Sequence, residues 1–389
     1  MATSVQMPVA ANILDWLLSI GTRNRLDSGQ QEQIERWKQG TATPTVNELT
    51  AVSKRLRVPF GYFFLSKPID DTPALFAHRT LHSQAAGGRP SRDLVDTVAN
   101  MTALQDWARQ DQIDTGEDAL PFVGSLSLNS GTPALARTVR QELSITEDWY
   151  ERADYAEAGH ALAYLRSKAQ HAGVIVMQSG IVGENTHRPL DPEEFRAFAL
   201  IDDYAPLIFL NRADEPVAAR LFSLLHELIH IGLGKEELYN DSALPQAVSR
   251  LEQVCNEVSA QILMPDRTFL QVWHEHAGES LEERLEAVGK RFPVSRSSLA
   301  LRALGYSLIS QQEYEQCSAQ AAQWAQERSQ EPKQPGGDYY NTQRSRFDSR
   351  LLARLVDSIS AGRTTYVEAY RMTGTRRDTF PELLRRSGL

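Results

Sequence analysis

A chain of 389 residues with 41% hydrophobic content is long enough for two or three domains with real cores. Its formal net charge of −9 argues against polyanion binding by the chain as a whole, though a local basic face remains open. Cys255 and Cys317 make no disulfide framework, no apolar run of about 18 residues occurs, and the start lacks a basic-then-apolar pattern, so a soluble, cytoplasmic protein without membrane contact is expected.

Residues 1–70 read as short helices. Ile13, Leu14, Trp16, Leu17 and Ile20 cluster ahead of Gly21, and a polar helix follows with Ile34 and Trp37. Thr45 with Glu48 three residues later marks another helix start. Eight Lys/Arg face six Asp/Glu there, with Arg23, Arg25, Arg36 and Lys38 as phosphate-contact candidates. Residues 71–90 read as a linker. It carries His78 and His82, whose spacing finds no third ligand nearby. Helices are expected near 91–111, 134–143 and 154–172, with a Gly/Ser/Pro-containing connection over 117–135.

Strands are expected at 174–177, 195–202 and 206–210. Asp214-Glu215-Pro216 then starts a helix that is apolar nearly all round, through Leu221, Leu224, Leu225, Leu228, Ile229 and Ile231. Inside it stands His226-Glu227-Leu228-Ile229-His230, the H-E-x-x-H signature of zinc proteases. A helix turns about 100° per residue, so His226 and His230 lie one above the other and can reach one metal. Glu227 sits beside them, placed to take a proton from water. Gly232 and Gly234 fit the helix C-terminus.

A second helix is expected over 251–264, ended by Pro265. Glu252 and Asn256 stack one turn apart on it. They suit a third, carboxylate ligand and an amide that orients a ligand histidine. Glu257 is the weaker candidate, and Cys255 reads as a small buried residue rather than a fourth ligand.

H-E-L-x-H followed by E-x-x-C-N-x-x-(A/S)-A-x-x-L-M-P resembles the ImmA/IrrE family of metallo-endopeptidases. Asn185-Thr186-His187-Arg188, Glu194-Phe195-Arg196 and Ala205 to Asn211 fit the same resemblance, which covers residues 170–310. Ala197 and Ser223 depart from the family's usual Gly and Thr, away from the proposed ligands. In the first 70 residues, W-K-x-G-x-x-x-P-T-x-x-x-L and V-P-x-x-x-F-F-L resemble the Xre-type helix-turn-helix domain often fused to these peptidases.

Beyond Pro265, His274 and His276 lie in a polar, Glu-rich stretch read as a solvated face. A helix over 283–304 is broken by Phe292-Pro293-Val294-Ser295, and Cys317 sits on a polar helix. Residues 329–338 read as a linker, and residues 341–389 carry ten Arg and no Lys against five Asp/Glu. The expected architecture is α+β and mainly helical. It comprises a helix-turn-helix domain (1–70), a helical linker region (71–172), a zincin-like peptidase domain with a small sheet beside the metal helices (173–328), and a linker with a basic helical domain (329–389).

The expected activity is that of a zinc endopeptidase. Zn²⁺ is held by His226, His230 and Glu252, Glu227 acts as base, and Asn256 supports a ligand histidine. Tyr204, Tyr239, His187 and Arg196 are candidates for stabilising the developing oxyanion. The resemblance implies a helix-turn-helix repressor as substrate, cut to switch on stress, prophage or mobile-element genes. The alternative is a regulatory module that binds DNA or an antitoxin and uses the peptidase fold as a sensor or scaffold. DNA contact is open through either the N-terminal domain or the basic tail, and oligomeric state is open too.

Overall fold

A computed structural model describes residues 5–20, 26–69, 90–152, 155–213, 216–235, 238–239, 249–330 and 339–389. The chain forms two compact units, Met1–Ala99 and Asn100–Leu389. Arg23, Arg25, His78 and His82 lie outside the described residues. Among the described residues, no helix is long and apolar enough to cross a membrane.

The first unit holds α1 (Ala11–Ile20), α2 (Ser28–Lys38), α3 (Val46–Leu56) and a 3-10 turn at Phe60–Phe64. Reciprocal capping boxes start two helices: Asp27 with Gln30 opens α2, and Thr45 with Glu48 opens α3. Each satisfies amide donors that a helix start leaves without partners. Ile13, Leu17, Ile34, Trp37, Leu49 and Phe63 form its core.

Helix α4 (Arg92–Asp114) carries the boundary between the units. Then come α5 (Thr132–Glu142), α6 (Ala158–His171), β1 (Ile175–Ser179), β2 (Ala197–Leu200), β3 (Leu207–Asn211), α7 (Val217–Leu233), β4 (Leu238–Tyr239) and α8 (Arg250–Leu263). The architecture is α+β and mainly helical, as expected. The sheet order is β1-β3-β2-β4, with β1 parallel to β3 and β2 antiparallel to both β3 and β4. Every residue of β1, β2 and β3 is buried, so these strands read as apolar runs rather than alternations, with polar residues only at the ends of β1 (Gln178, Ser179) and β3 (Asn211). Helix α7 packs on β2 and β3 and lies against α6 and α8. One core runs from Phe122 through α5 and α6 to the sheet and onward to Cys317.

A strap from residues 120–126 closes over the end of α7. The Gly124 and Leu126 amides donate to the Ile231 and Gly232 carbonyls at 3.1 and 2.7 Å. The two glycines of this end have different jobs. Gly234 is the left-handed cap at φ 65°. Gly232 is not a terminator: it lies inside the helix, and a Cβ there would stand 2.6 Å from Leu126 Cδ1 and 2.8 Å from Phe122 Cζ.

Helices α9 (Asp266–Glu275), α10 (Leu281–Gly289), α11 (Arg296–Gly305) and α12 (Gln311–Gln330) follow. His274 is in the last turn of α9 and His276 caps it, not on a strand; His276 contacts Glu279 instead. Two residues apart on a helix, the histidines point in nearly opposite directions. Residues 329 and 330 belong to α12 rather than to a linker, and 331–338 are outside the described residues.

The tail is α13 (Tyr339–Arg346), α14 (Ser349–Ser360), α15 (Tyr366–Thr373) and α16 (Phe380–Ser387). It is bound to the outer side of β1. Asp348 accepts the Val176 amide at 3.0 Å. Arg166 donates to the carbonyls of Val176, Ser345 and Phe347 at 3.0, 2.8 and 2.7 Å. Arg346 pairs with Glu184, and Arg354 and Arg363 both pair with the buried Asp111.

Candidate metal centre

Helix α7 carries two imidazoles into the core because its stretch from Ser223 to Leu233 is buried throughout and mostly apolar. His226, Glu227 and His230 are each 0% exposed. Imidazoles buried that deeply need partners, and Glu252 and Asn256 of α8 supply them. Ser249 caps α8 by accepting the Glu252 amide at 3.2 Å, which sets Glu252 in the first turn facing α7.

His226 Nε2 lies 3.1 Å from Glu252 Oε2, and His230 Nε2 lies 3.1 Å from Glu252 Oε1. The two Nε2 atoms are themselves 3.1 Å apart. The opposite ring nitrogens are held separately. His226 Nδ1 is 3.0 Å from Asn256 Oδ1, and His230 Nδ1 is 3.0 Å from the Lys235 carbonyl. An amide oxygen and a backbone carbonyl can only accept, so each Nδ1 donates. That tautomer leaves both Nε2 lone pairs aimed at Glu252.

This donor set fits a metal ion. Nitrogen and oxygen donors at about 2.0–2.1 Å from one ion stand roughly 3 Å from each other. Without an ion, the same closeness needs a proton to relieve it. Burial pushes His226 below the usual imidazole range. Burial also opposes protonation of His230, but the hydrogen bonds with Cys255 and Glu252 and the charge of Glu227 outweigh it and hold His230 well above that range.

Cys255 is closer to the centre than its apolar pattern suggested. Its sulfur and the His226 and His230 ring nitrogens all lie within 4.8 Å of one another, and all three residues are buried. The reason is helical phase: Cys255 and Asn256 sit three and four residues beyond Glu252, on the same face of α8. Glu257 is on a different face and accepts from Thr132 Oγ1 at 2.9 Å.

None of the oxyanion candidates belongs to α7 or α8. Tyr204 lines a cavity of about 470 Å³ with Gly173, Asp348 and Arg354, and the Arg109 guanidinium stands over its ring. His187 is exposed in a turn, Arg196 is half-buried just ahead of β2, and the Tyr239 side chain lies outside the described residues. Two supports had no side-chain signal in the sequence. The Lys235 carbonyl is backbone, and the strap over α7 comes from residues 120–126, far upstream.

Residues 169–304 match the IrrE N-terminal-like domain, Peptidase_M78. Residues 347–386 match a domain of unknown function, DUF8813. No curated protein and no solved structure matches the chain. A Peptidase_M78 domain with a buried His226, His230 and Cys255 group suggests a metallopeptidase.

Proposed function

We propose that this domain is a zinc-dependent endopeptidase whose substrate is a protein, namely a helix-turn-helix transcriptional repressor. The observation that carries the reading is the convergence of His226, His230 and Glu252 at 3.1 Å, with Glu227 buried next to them on α7. Those three residues would hold the zinc, and Asn256 would keep the His226 ring in register. Bound there, zinc would supply Lewis acidity toward a water and toward the peptide carbonyl.

Glu227 performs the proton transfers. Its carboxylate takes a proton from the attacking water and passes it to the departing amine nitrogen. The enclosing side chains of α7 keep this carboxylate out of bulk solvent, so the proton it holds is not readily lost. Among the described residues, β4 is the sheet's edge on one side, and an extended chain would pair there. The opposite edge, at Val176, is occupied by Asp348 and Arg166.

The repressor substrate rests on the sequence resemblance. In the same reading the first unit is an Xre-type helix-turn-helix, with α2 and α3 as its two capped helices.

The test compares new protein N-termini in cells expressing wild type or Glu227→Gln. New termini inside a helix-turn-helix repressor, found only with wild type, are the expected result. No difference between the two, under resting or stress conditions, would remove the peptidase reading and leave the chain as a binding module. Zinc content must stay equal in both proteins, which separates loss of the base from loss of the metal.

A further inference from the structure

The tail carries ten arginines against five acidic residues, in a chain whose net charge is −9. Most of that positive charge is used internally. Arg346 pairs with Glu184, and Arg354 and Arg363 pair with Asp111. Arg350 donates to the Gln170 carbonyl, while Arg385 and Arg386 clasp Glu382. These contacts explain how the tail is held, but they leave out Arg344 on α13 and Arg371, Arg376 and Arg377 on and after α15. All four are exposed. Arg376 and Arg377 have no carboxylate partner among the described residues, and Arg371 feels only the neighbouring Glu368.

The backbone puts the last three beside an exposed apolar pair. Helix α15 ends at Gly374, left-handed at φ 63°. Residues 374–379 connect it to α16, and the Thr379 and Phe380 amides both donate to the Arg376 carbonyl at 3.1 and 2.9 Å, which folds Arg376 and Arg377 into a turn just ahead of that helix. Ala369 is 0% exposed, a small residue where the two helices approach. The Tyr366 ring meets the Phe380 ring edge-on at 6.5 Å, so the start of α15 stands beside the start of α16. Tyr366 is 58% exposed and Val367 65%. The surface thus presents exposed Tyr366, Val367 and Arg371 on α15 and exposed Arg376 and Arg377 in the turn that follows it.

We propose that this face binds duplex DNA. Charge complementarity selects the partner. Guanidiniums without carboxylate partners in the turn ahead of the second helix match phosphate oxygens, and an aromatic ring at the start of the first helix packs on the sugar-phosphate edge. Asp378 and Glu368 lie near the face and moderate its charge, so the contact is short and salt-sensitive. Gly374 abuts Glu184, where a Cβ would stand 2.5 Å from Glu184 Cγ, so the face is fixed to the peptidase rather than tethered loosely. This inference does not depend on the peptidase being active.

The test is fluorescence anisotropy of the full-length protein with a mixed-sequence DNA duplex, titrated across about 50–200 mM salt. Wild type should bind, with affinity falling as salt rises. Arg376→Gln/Arg377→Gln should weaken binding and reduce the slope of log affinity against log salt by about 2. Arg376→Lys/Arg377→Lys should restore the slope, which a purely structural role would not predict. Because both residues are exposed, the Gln variant should keep the wild-type circular dichroism spectrum and zinc content. No binding at the lowest salt overturns the proposal, as does an unchanged slope in the Gln variant. Equal binding of a poly-glutamate peptide overturns it in favour of an acidic protein partner.

Discussion

The Asp348 carboxylate takes the Val176 amide at 3.0 Å on the outer side of β1, in the position a neighbouring strand would fill. Arg166 completes the imitation by donating to the Val176 carbonyl at 3.0 Å. A carboxylate and a guanidinium thus do for this edge what the acceptor and donor of a paired strand would do.

Removing Arg166 leaves the carbonyls of Val176, Ser345 and Phe347 without their donor and Asp348 without its counter-charge. Arg166→Ala should cost about 3 kcal/mol, read as a lower urea midpoint. Asp348→Asn keeps an acceptor for Val176 and should cost less. Burial pushes the Asp348 carboxyl above its usual range, and the backbone amides that donate to it only partly pull it back. A folded-state pKa raised above the unfolded value contributes stability in acid and loses it as pH rises through the raised value. The stability gap between wild type and Asp348→Asn should therefore narrow from pH 4 toward pH 7. A gap that widens would mean the Arg166 charge dominates.

Gly232 ties α7 to the upstream strap. Gly232→Ala places a methyl where Leu126 and Phe122 already stand, an overpacking that should cost about 1–3 kcal/mol and weaken metal binding. Leu126→Ala in the same protein opens the space and should recover part of both losses. If the double variant is simply the sum of the single ones, the two residues do not share this contact.

The sequence showed the metal helix plainly because its signal is local. His226, Glu227 and His230 are contiguous, and the apolar residues between them declare burial. The placement of Glu252 and Asn256 against the α7 histidines was legible for the same reason, as one turn of a second helix. The strands were legible as apolar runs because both faces of the sheet are covered. What lay out of reach was long-range or backbone-borne. Nothing in Leu126 announces that it meets Gly232, and nothing in Lys235 announces that its carbonyl holds His230. The tail's arginines read as a basic surface because their partners, Asp111 and Glu184, are distant in the chain. Gly232 lies in the last turn of α7 as expected, but its use as a packing gap for Leu126 and Phe122 has no local signal.

Proton release should accompany zinc binding. Zinc needs both Nε2 atoms unprotonated, and His230 is held well above its ordinary value of 6.5 by Cys255, Glu252 and Glu227, against the pull of burial. The metal-free protein therefore draws stability from protonated His230 below about pH 6.5 and loses it as pH rises through the raised value. Zinc affinity should rise across that interval. Calorimetry in two buffers of different ionisation enthalpy should show about one proton leaving per zinc at neutral pH. Zero release would mean that the pair is already neutral without the metal.

Two candidates compete to join the histidines, and they can be separated by substitution. Glu252 reaches both Nε2 atoms at 3.1 Å, while Cys255 is placed within 4.8 Å of the ring nitrogens on the same face of α8. Burial pushes the Cys255 thiol up, away from the thiolate form a metal prefers. Glu252→Ala should lose zinc, whereas Cys255→Ala should retain it at full stoichiometry. Asn256→Ala should weaken binding about 10–100-fold by releasing the His226 ring. Replacing zinc with cobalt gives an independent reading, because thiolate ligation adds an intense near-ultraviolet charge-transfer band that nitrogen and oxygen donors lack. Its absence from the wild-type spectrum is the expected outcome. A strong band that disappears in Cys255→Ala would make the sulfur a ligand and leave no open position for water.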